Sequence, residues 1–138
     1  MESDKVYRTV FYVGTGWNIT VAIGMFIMLG SLPTMIHIEP PRYPMFIEFN
    51  LMTTFFFGII QLTIARNLYS YRSFVTILMW AKLVFVFLYC YSIVVDAPPK
   101  ELVSFLIPGT VIDFLFVLAF WRFLVFQPSA VPANVNRT

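Results

Sequence analysis

The chain has 138 residues, of which 59% are hydrophobic, 19% are aromatic and 12% are charged. Soluble domains carry about 25% charged residues, so this composition argues against a soluble domain and excludes an intrinsically disordered chain. The formal net charge of +2 is too small for a strongly basic nucleic-acid-binding protein. Composition therefore predicts a protein of the lipid bilayer, with no nucleic-acid partner.

Four apolar runs are long enough for transmembrane helices, since a helix needs about 20 residues to cross a hydrocarbon core about 30 Å thick. Proline-rich or polar segments separate the runs and are predicted to be loops. The predicted fold class is an all-α membrane protein, a single four-transmembrane-helix bundle. We expect a short amino-terminal segment at 1–8 and a flexible tail at 127–138. The predicted spans cover residues 9–32, 45–65, 74–95 and 102–126.

The basic residues predict the orientation of these spans. With four crossings, the amino terminus, the second loop and the tail share one side of the membrane, whereas the other side holds only Arg42 and Lys100. The positive-inside rule therefore places both termini in the cytoplasm, which is typical of a bacterial inner-membrane protein. Arg66, Arg72 and Arg122 are the predicted interfacial basic residues. The basic residues on the cytoplasmic side are Lys5, Arg8, Arg66, Arg72, Arg122 and Arg137.

Two ionisable residues fall deep inside predicted spans, where a charge costs about 2.5–3.5 kcal/mol. Lys82 and Asp113 differ in depth by about 8 Å at a rise of about 1.5 Å per residue. The lysine stem and helix tilt close part of this gap, so an ion pair is one interpretation. Helical side chains lean towards their own amino termini, which counts against direct contact. In the alternative, Lys82 extends to the inner interface and Asp113 hydrogen-bonds to groups such as Thr110.

Asn18, Asn50 and Gln61 are further candidates for an intramembrane polar site, although neutral polar groups in spans more often stabilise helix packing. Cys90 lies in an apolar run and is expected to pack as a small hydrophobic residue, and the lone histidine, His37, is assigned no role. We identify no catalytic residues, no metal-ligand set and no ligand set for an encoded cofactor. A bound quinone or lipid stays open, as does enzymatic activity, although the residues argue against an enzyme.

The second half of the chain contains a basic turn at 66–72, Lys82 ten residues later and an apolar closing helix at 112–124. With these features, roughly residues 55–125 resemble the DoxX-like group of small four-helix bacterial membrane proteins. Some members of that group resemble subunits of quinone-linked oxidoreductases. The resemblance therefore implies that the protein lies in a membrane, and it implies less about which reaction, if any, the protein takes part in.

Three functions fit these observations. The first is a non-catalytic accessory or structural subunit of a larger membrane assembly, packed against other subunits or against copies of itself. The second is an oligomeric transporter or channel for ions or small solutes that uses Lys82 and Asp113. The third is a quinone- or lipid-binding subunit of an oxidoreductase, as the DoxX-like resemblance implies.

Overall fold

A computed structural model describes residues 2–126, and within that range it contains helices and no strand. Four of these helices are long and apolar enough to cross a membrane. The predicted all-α class with four candidate spans is therefore confirmed, while the predicted tail at 127–138 lies outside the described residues. In chain order the helices are α1 (Glu2–Met28), α2 (Leu32–Met35), α3 (Pro44–Arg66), α4 (Arg72–Val95) and α5 (Lys100–Phe126).

The ends of α1 differ most from the predicted spans. This helix begins at Glu2 and ends at Met28, whereas the apolar run extends from Thr9 to Leu32. Charged residues do not stop a helix, and Asp4 near its amino terminus interacts favourably with the helix dipole. Residues 32–35, at the edge of the predicted first loop, form the single turn α2 with a proline in its first turn.

The long helices pack as two antiparallel pairs. Helix α1 packs mainly against α3, and α4 packs mainly against α5, whereas fewer contacts join one pair to the other. Two glycines allow the close approach of α1 and α3. A Cβ atom on Gly58 would lie 2.8 Å from Ile19 Cγ1, and one on Gly14 would lie 2.4 Å from Gln61 Oε1. The absence of a Cβ atom at these two glycines therefore allows the short distance between the helices.

The two pairs share a hydrophobic core at the end where α1 and α4 begin and α3 and α5 end. We call this the basic end. Phe11 stacks on Phe120 with ring centroids 5.1 Å apart, and Phe123 meets Phe11 edge to face at 5.8 Å. Towards the opposite end burial declines, and α4 has no buried residue beyond Lys82. The core comprises Tyr7, Phe11, Ile64, Ala65, Leu68, Val75, Leu78, Phe116, Phe120 and Phe123.

Two arginines bind the last carbonyl groups of neighbouring helices at the basic end. Arg8 Nη1 donates hydrogen bonds to the carbonyl oxygens of Ala65, at 2.7 Å, and Arg66, at 2.9 Å. Arg72 Nη2 donates to the carbonyl oxygen of Leu124 in α5. A cation at a helix carboxyl terminus satisfies free carbonyls and interacts favourably with the helix dipole. These contacts therefore tie the start of α1 to the end of α3, and the start of α4 to the end of α5.

Of the predicted interfacial basic residues, the structure gives only Arg72 a partly buried position. Arg66 and Arg122 are exposed. Arg8, which the sequence marks only as a cytoplasmic-side charge, makes more backbone contacts than either of them. Hydropathy does not reveal that Arg8 binds the end of α3, because this contact depends on which helix end lies beside the start of α1.

Candidate functional site

Lys82 and Asp113 form an ion pair between α4 and α5, through Lys82 Nζ and Asp113 Oδ1. The lysine side chain is 4% exposed and the aspartate side chain 17%. Of the two interpretations that the sequence left open, the structure shows the pair. The lean of helical side chains does not prevent it, because α4 and α5 are packing neighbours and the lysine stem is long enough to cover the difference in depth.

The ammonium group of Lys82 also contacts α1. It donates a long hydrogen bond to Asn18 Oδ1, at 3.4 Å, and Asn18 is 2% exposed. The same nitrogen lies 5.4 Å from the centre of the Phe116 ring, within the range of a cation–π interaction. One buried charge thus joins α1, α4 and α5.

Gln61 on α3 adds a neutral polar group to this region. The residue is fully buried, and neither its Nε2 nor its Oε1 has a hydrogen-bond partner within residues 2–126. A Cβ atom on Gly14 would lie 2.4 Å from Gln61 Oε1 and 3.1 Å from the Phe116 ring. The Gln61 amide and the Phe116 ring, which faces Lys82 Nζ, therefore both pack close to Gly14. Asn18 Nδ2 is likewise buried without a partner in the described chain.

We call Asn18, Gln61, Lys82 and Asp113 the polar cluster. The two charges compensate each other, and the amide groups of Asn18 and Gln61 are left with unused hydrogen-bonding capacity. An unpartnered buried polar group costs about 1–3 kcal/mol. Hydrogen bonds to these amide groups would recover part of that cost.

Asn50 is not part of the polar cluster. It is exposed on α3, about 16 Å along the helix from Gln61 at a rise of about 1.5 Å per residue. The structure therefore places this candidate on the surface of the bundle, because α3 has few buried positions near its start. Phe116 and Gly58 were not predicted beside the cluster; their apolar or small side chains carry no polar signal, although a glycine in a span indicates close helix approach.

Cys90 and His37 both lie at the surface. Cys90 is exposed on α4, so the expectation that it packs as a buried residue is wrong. The physical reason is that α4 has no buried positions beyond Lys82. His37 is exposed in the first loop. Within residues 2–126 there is no group of three or more His, Cys, Asp or Glu residues that could hold a metal ion.

No family model, curated protein or solved structure matches this chain. The resemblance to the DoxX-like group therefore stays a prediction. The function has to be argued from the polar cluster and the surfaces of the bundle.

Proposed function

We propose that this protein crosses a bacterial inner membrane four times with its basic end in the cytoplasm. The supporting observations are the four long apolar helices and the arginines at one end of the bundle. The test replaces Cys90 with serine and introduces one cysteine at a time, Glu39→Cys or Ser70→Cys, at exposed loop positions. An impermeant thiol reagent outside intact cells is expected to label position 39 only. Equal labelling of both positions would contradict the topology.

We further propose that the protein binds the polar head of a membrane-soluble molecule, of the quinone or lipid class, at the polar cluster. The observation that carries this proposal is the fully buried and unpartnered amide of Gln61, which packs near Gly14 and the Phe116 ring that Lys82 Nζ faces. Because Lys82 and Asp113 compensate each other, the free hydrogen-bonding groups are neutral amides. Neutral amides suit the carbonyl or hydroxyl oxygens of a quinone head better than an ion.

The variant Gln61→Leu tests this binding site. Leucine has a similar volume and removes both unpartnered polar atoms, so the fold is expected to survive. Titration of the purified protein with decylubiquinone should show saturable binding, and Gln61→Leu should weaken it about tenfold, the effect of losing one to two hydrogen bonds. Asn50→Leu on the exposed part of α3 is the matched control. Absence of saturable binding, or equal affinity in Gln61→Leu, would contradict the proposal.

An accessory subunit is the second candidate function. The observation in its favour is the exposed apolar surface of α4 beyond Lys82, which includes Phe87 at 65% and Val94 at 82% exposure. A photoreactive residue at position 87 is expected to cross-link to another membrane protein or to a second copy. A residue at position 66, at the basic end, serves as the control. Cross-links to lipid alone at position 87 would count against a subunit role.

The transporter or channel interpretation has less support. Buried residues of the basic-end core, such as Phe11, Phe120 and Leu78, fill the bundle between the polar cluster and the basic end. A path past Lys82 and Asp113 would therefore need several copies of the chain or a rearrangement of the helices. Ion or solute flux in proteoliposomes that depends on Lys82 and Asp113 would restore this interpretation.

A further inference from the structure

A lateral groove lies between α1 and α3 towards the end opposite the basic end. Its volume is about 430 Å³, within the range of about 300–1,000 Å³ typical of small-molecule sites. Its position differs from that of the polar cluster, since none of the four cluster residues lines it. Residues that line the groove include Ala22, Phe26, Glu48, Leu51, Met52 and Phe55.

The walls of the groove suit a hydrocarbon chain. All but one of the lining residues are apolar, and Ala22 and Leu51 are buried at its inner side while Phe26 and Met52 are exposed at its rim. Along α3 the lining runs from Met45 to Phe55, about 15 Å at a rise of about 1.5 Å per residue. This length matches one leaflet, half of a hydrocarbon core about 30 Å thick.

The groove ends before it reaches the polar cluster. Next along α3 is Gly58, where an added Cβ atom would lie 2.8 Å from Ile19 Cγ1 and 3.4 Å from Asn18 Cβ. The backbones of α1 and α3 are therefore too close at this level for a chain to pass between them. An occupant of the groove is confined to the part of the bundle away from the basic end.

Glu48 is the one ionisable residue among those that line the groove. It lies on the second turn of α3, near the end opposite the basic end, and it is exposed. A chain that follows the groove would place its head group near this carboxylate. The complementary head group carries a positive charge and N–H donors, which favours a primary amine.

We propose that this groove binds one acyl chain of an amine-bearing phospholipid, phosphatidylethanolamine, with the ammonium group of the lipid paired to Glu48. The inference rests on the proposed membrane insertion and is independent of ligand binding at the polar cluster. The apolar walls hold the chain, and Glu48 selects the head group. The lipid thereby fills the space between α1 and α3 that the protein itself leaves open.

Native mass spectrometry of the purified protein with equal amounts of phosphatidylethanolamine and phosphatidylglycerol tests the proposal. The wild-type protein is expected to retain phosphatidylethanolamine in preference. Glu48→Gln should reduce this preference about two- to fivefold, as expected for an exposed ion pair. Glu101→Gln, at an exposed carboxylate at the same end of the bundle, should leave the preference unchanged. Glycerophosphoethanolamine, which lacks acyl chains, should not compete.

Three results would overturn the proposal. The first is equal retention of both lipids by the wild-type protein, and the second is an unchanged preference in Glu48→Gln. The third is a dimer that retains no lipid, which would indicate that a second copy covers the groove. A negative result with Gln61→Leu would not affect this test, because the groove and the polar cluster are separate sites. Cysteine labelling at positions 39 and 70 tests membrane insertion separately.

Discussion

Lys82 on α4 and Asp113 on α5 form an ion pair inside the bundle, and the same ammonium group donates to Asn18 on α1. Two buried charges in this arrangement act as a unit. Their mutual attraction offsets the cost of removing each from water, but either charge left alone is expensive. The stability of the bundle should therefore depend on both residues together more than on either one.

Single substitutions of the pair should destabilise the bundle strongly. Lys82→Met and Asp113→Asn are each expected to lower the free energy of unfolding by about 3 kcal/mol, because each leaves one buried charge uncompensated. The double variant should lose less than the sum of the two. Denaturant-induced unfolding in detergent micelles measures all three, with Lys100→Met, at an exposed residue, as the control. Losses that add to within about 0.5 kcal/mol would show that the residues are energetically independent.

Gly58→Ala should weaken the contact between α1 and α3. The added Cβ atom would lie 2.8 Å from Ile19 Cγ1 and 3.3 Å from the backbone oxygen of Thr15, so the helices must shift. The expected cost is about 1–3 kcal/mol of unfolding free energy, typical of overpacking. Gly24→Ala is the matched control, since its Cβ would meet nothing within 4 Å. If the two variants have the same thermal stability, the close contact does not set the helix distance.

Hydropathy was sufficient to predict where α3, α4 and α5 run, because a long apolar segment bounded by prolines and charges has few alternatives to a helix. It was not sufficient for α1. The residues before Thr9 are polar enough to be solvated, yet they are part of the helix, and Tyr7 among them packs in the core. Hydropathy records which residues prefer lipid, whereas the ends of a helix depend on local hydrogen bonding and packing.

The polar cluster was only partly predictable. Lys82 and Asp113 could be identified because a charge inside a span is energetically costly. Their depth along each helix, however, does not determine which helix faces are in contact. Those faces depend on helix rotation and on close packing, such as that of Gln61 against Gly14. Asn50 has the same side-chain chemistry as Asn18, yet only Asn18 lies on a buried face. Residue type alone therefore could not separate them.

Arg8 should matter more to stability than its position near the amino terminus suggests. Arg8→Ala removes two hydrogen bonds from a charged donor to the end of α3, at 2.7 and 2.9 Å. We expect a loss of about 1.5–3 kcal/mol in unfolding free energy. Lys5→Ala, an exposed residue of the same charge on the same helix, is the control for the change in net charge. Equal stability of the two variants would mean that the capping contacts contribute little.

The stability of the basic end should fall at alkaline pH through Tyr69. Its hydroxyl donates to Asp4 Oδ1 at 2.7 Å, and this bond, with burial and the charge of Asp4, raises the pKa of Tyr69 above 10.0. The folded state therefore holds the phenol proton more tightly than the unfolded state. This stabilisation is complete below the unfolded-state pKa and disappears as pH rises through the folded-state pKa. Unfolding midpoints measured from about pH 9 to about pH 12 should fall more steeply for the wild type than for Tyr69→Phe. Tyr71→Phe, at an exposed neighbour, should retain the wild-type slope, and an identical slope in Tyr69→Phe would assign the alkaline loss to other groups.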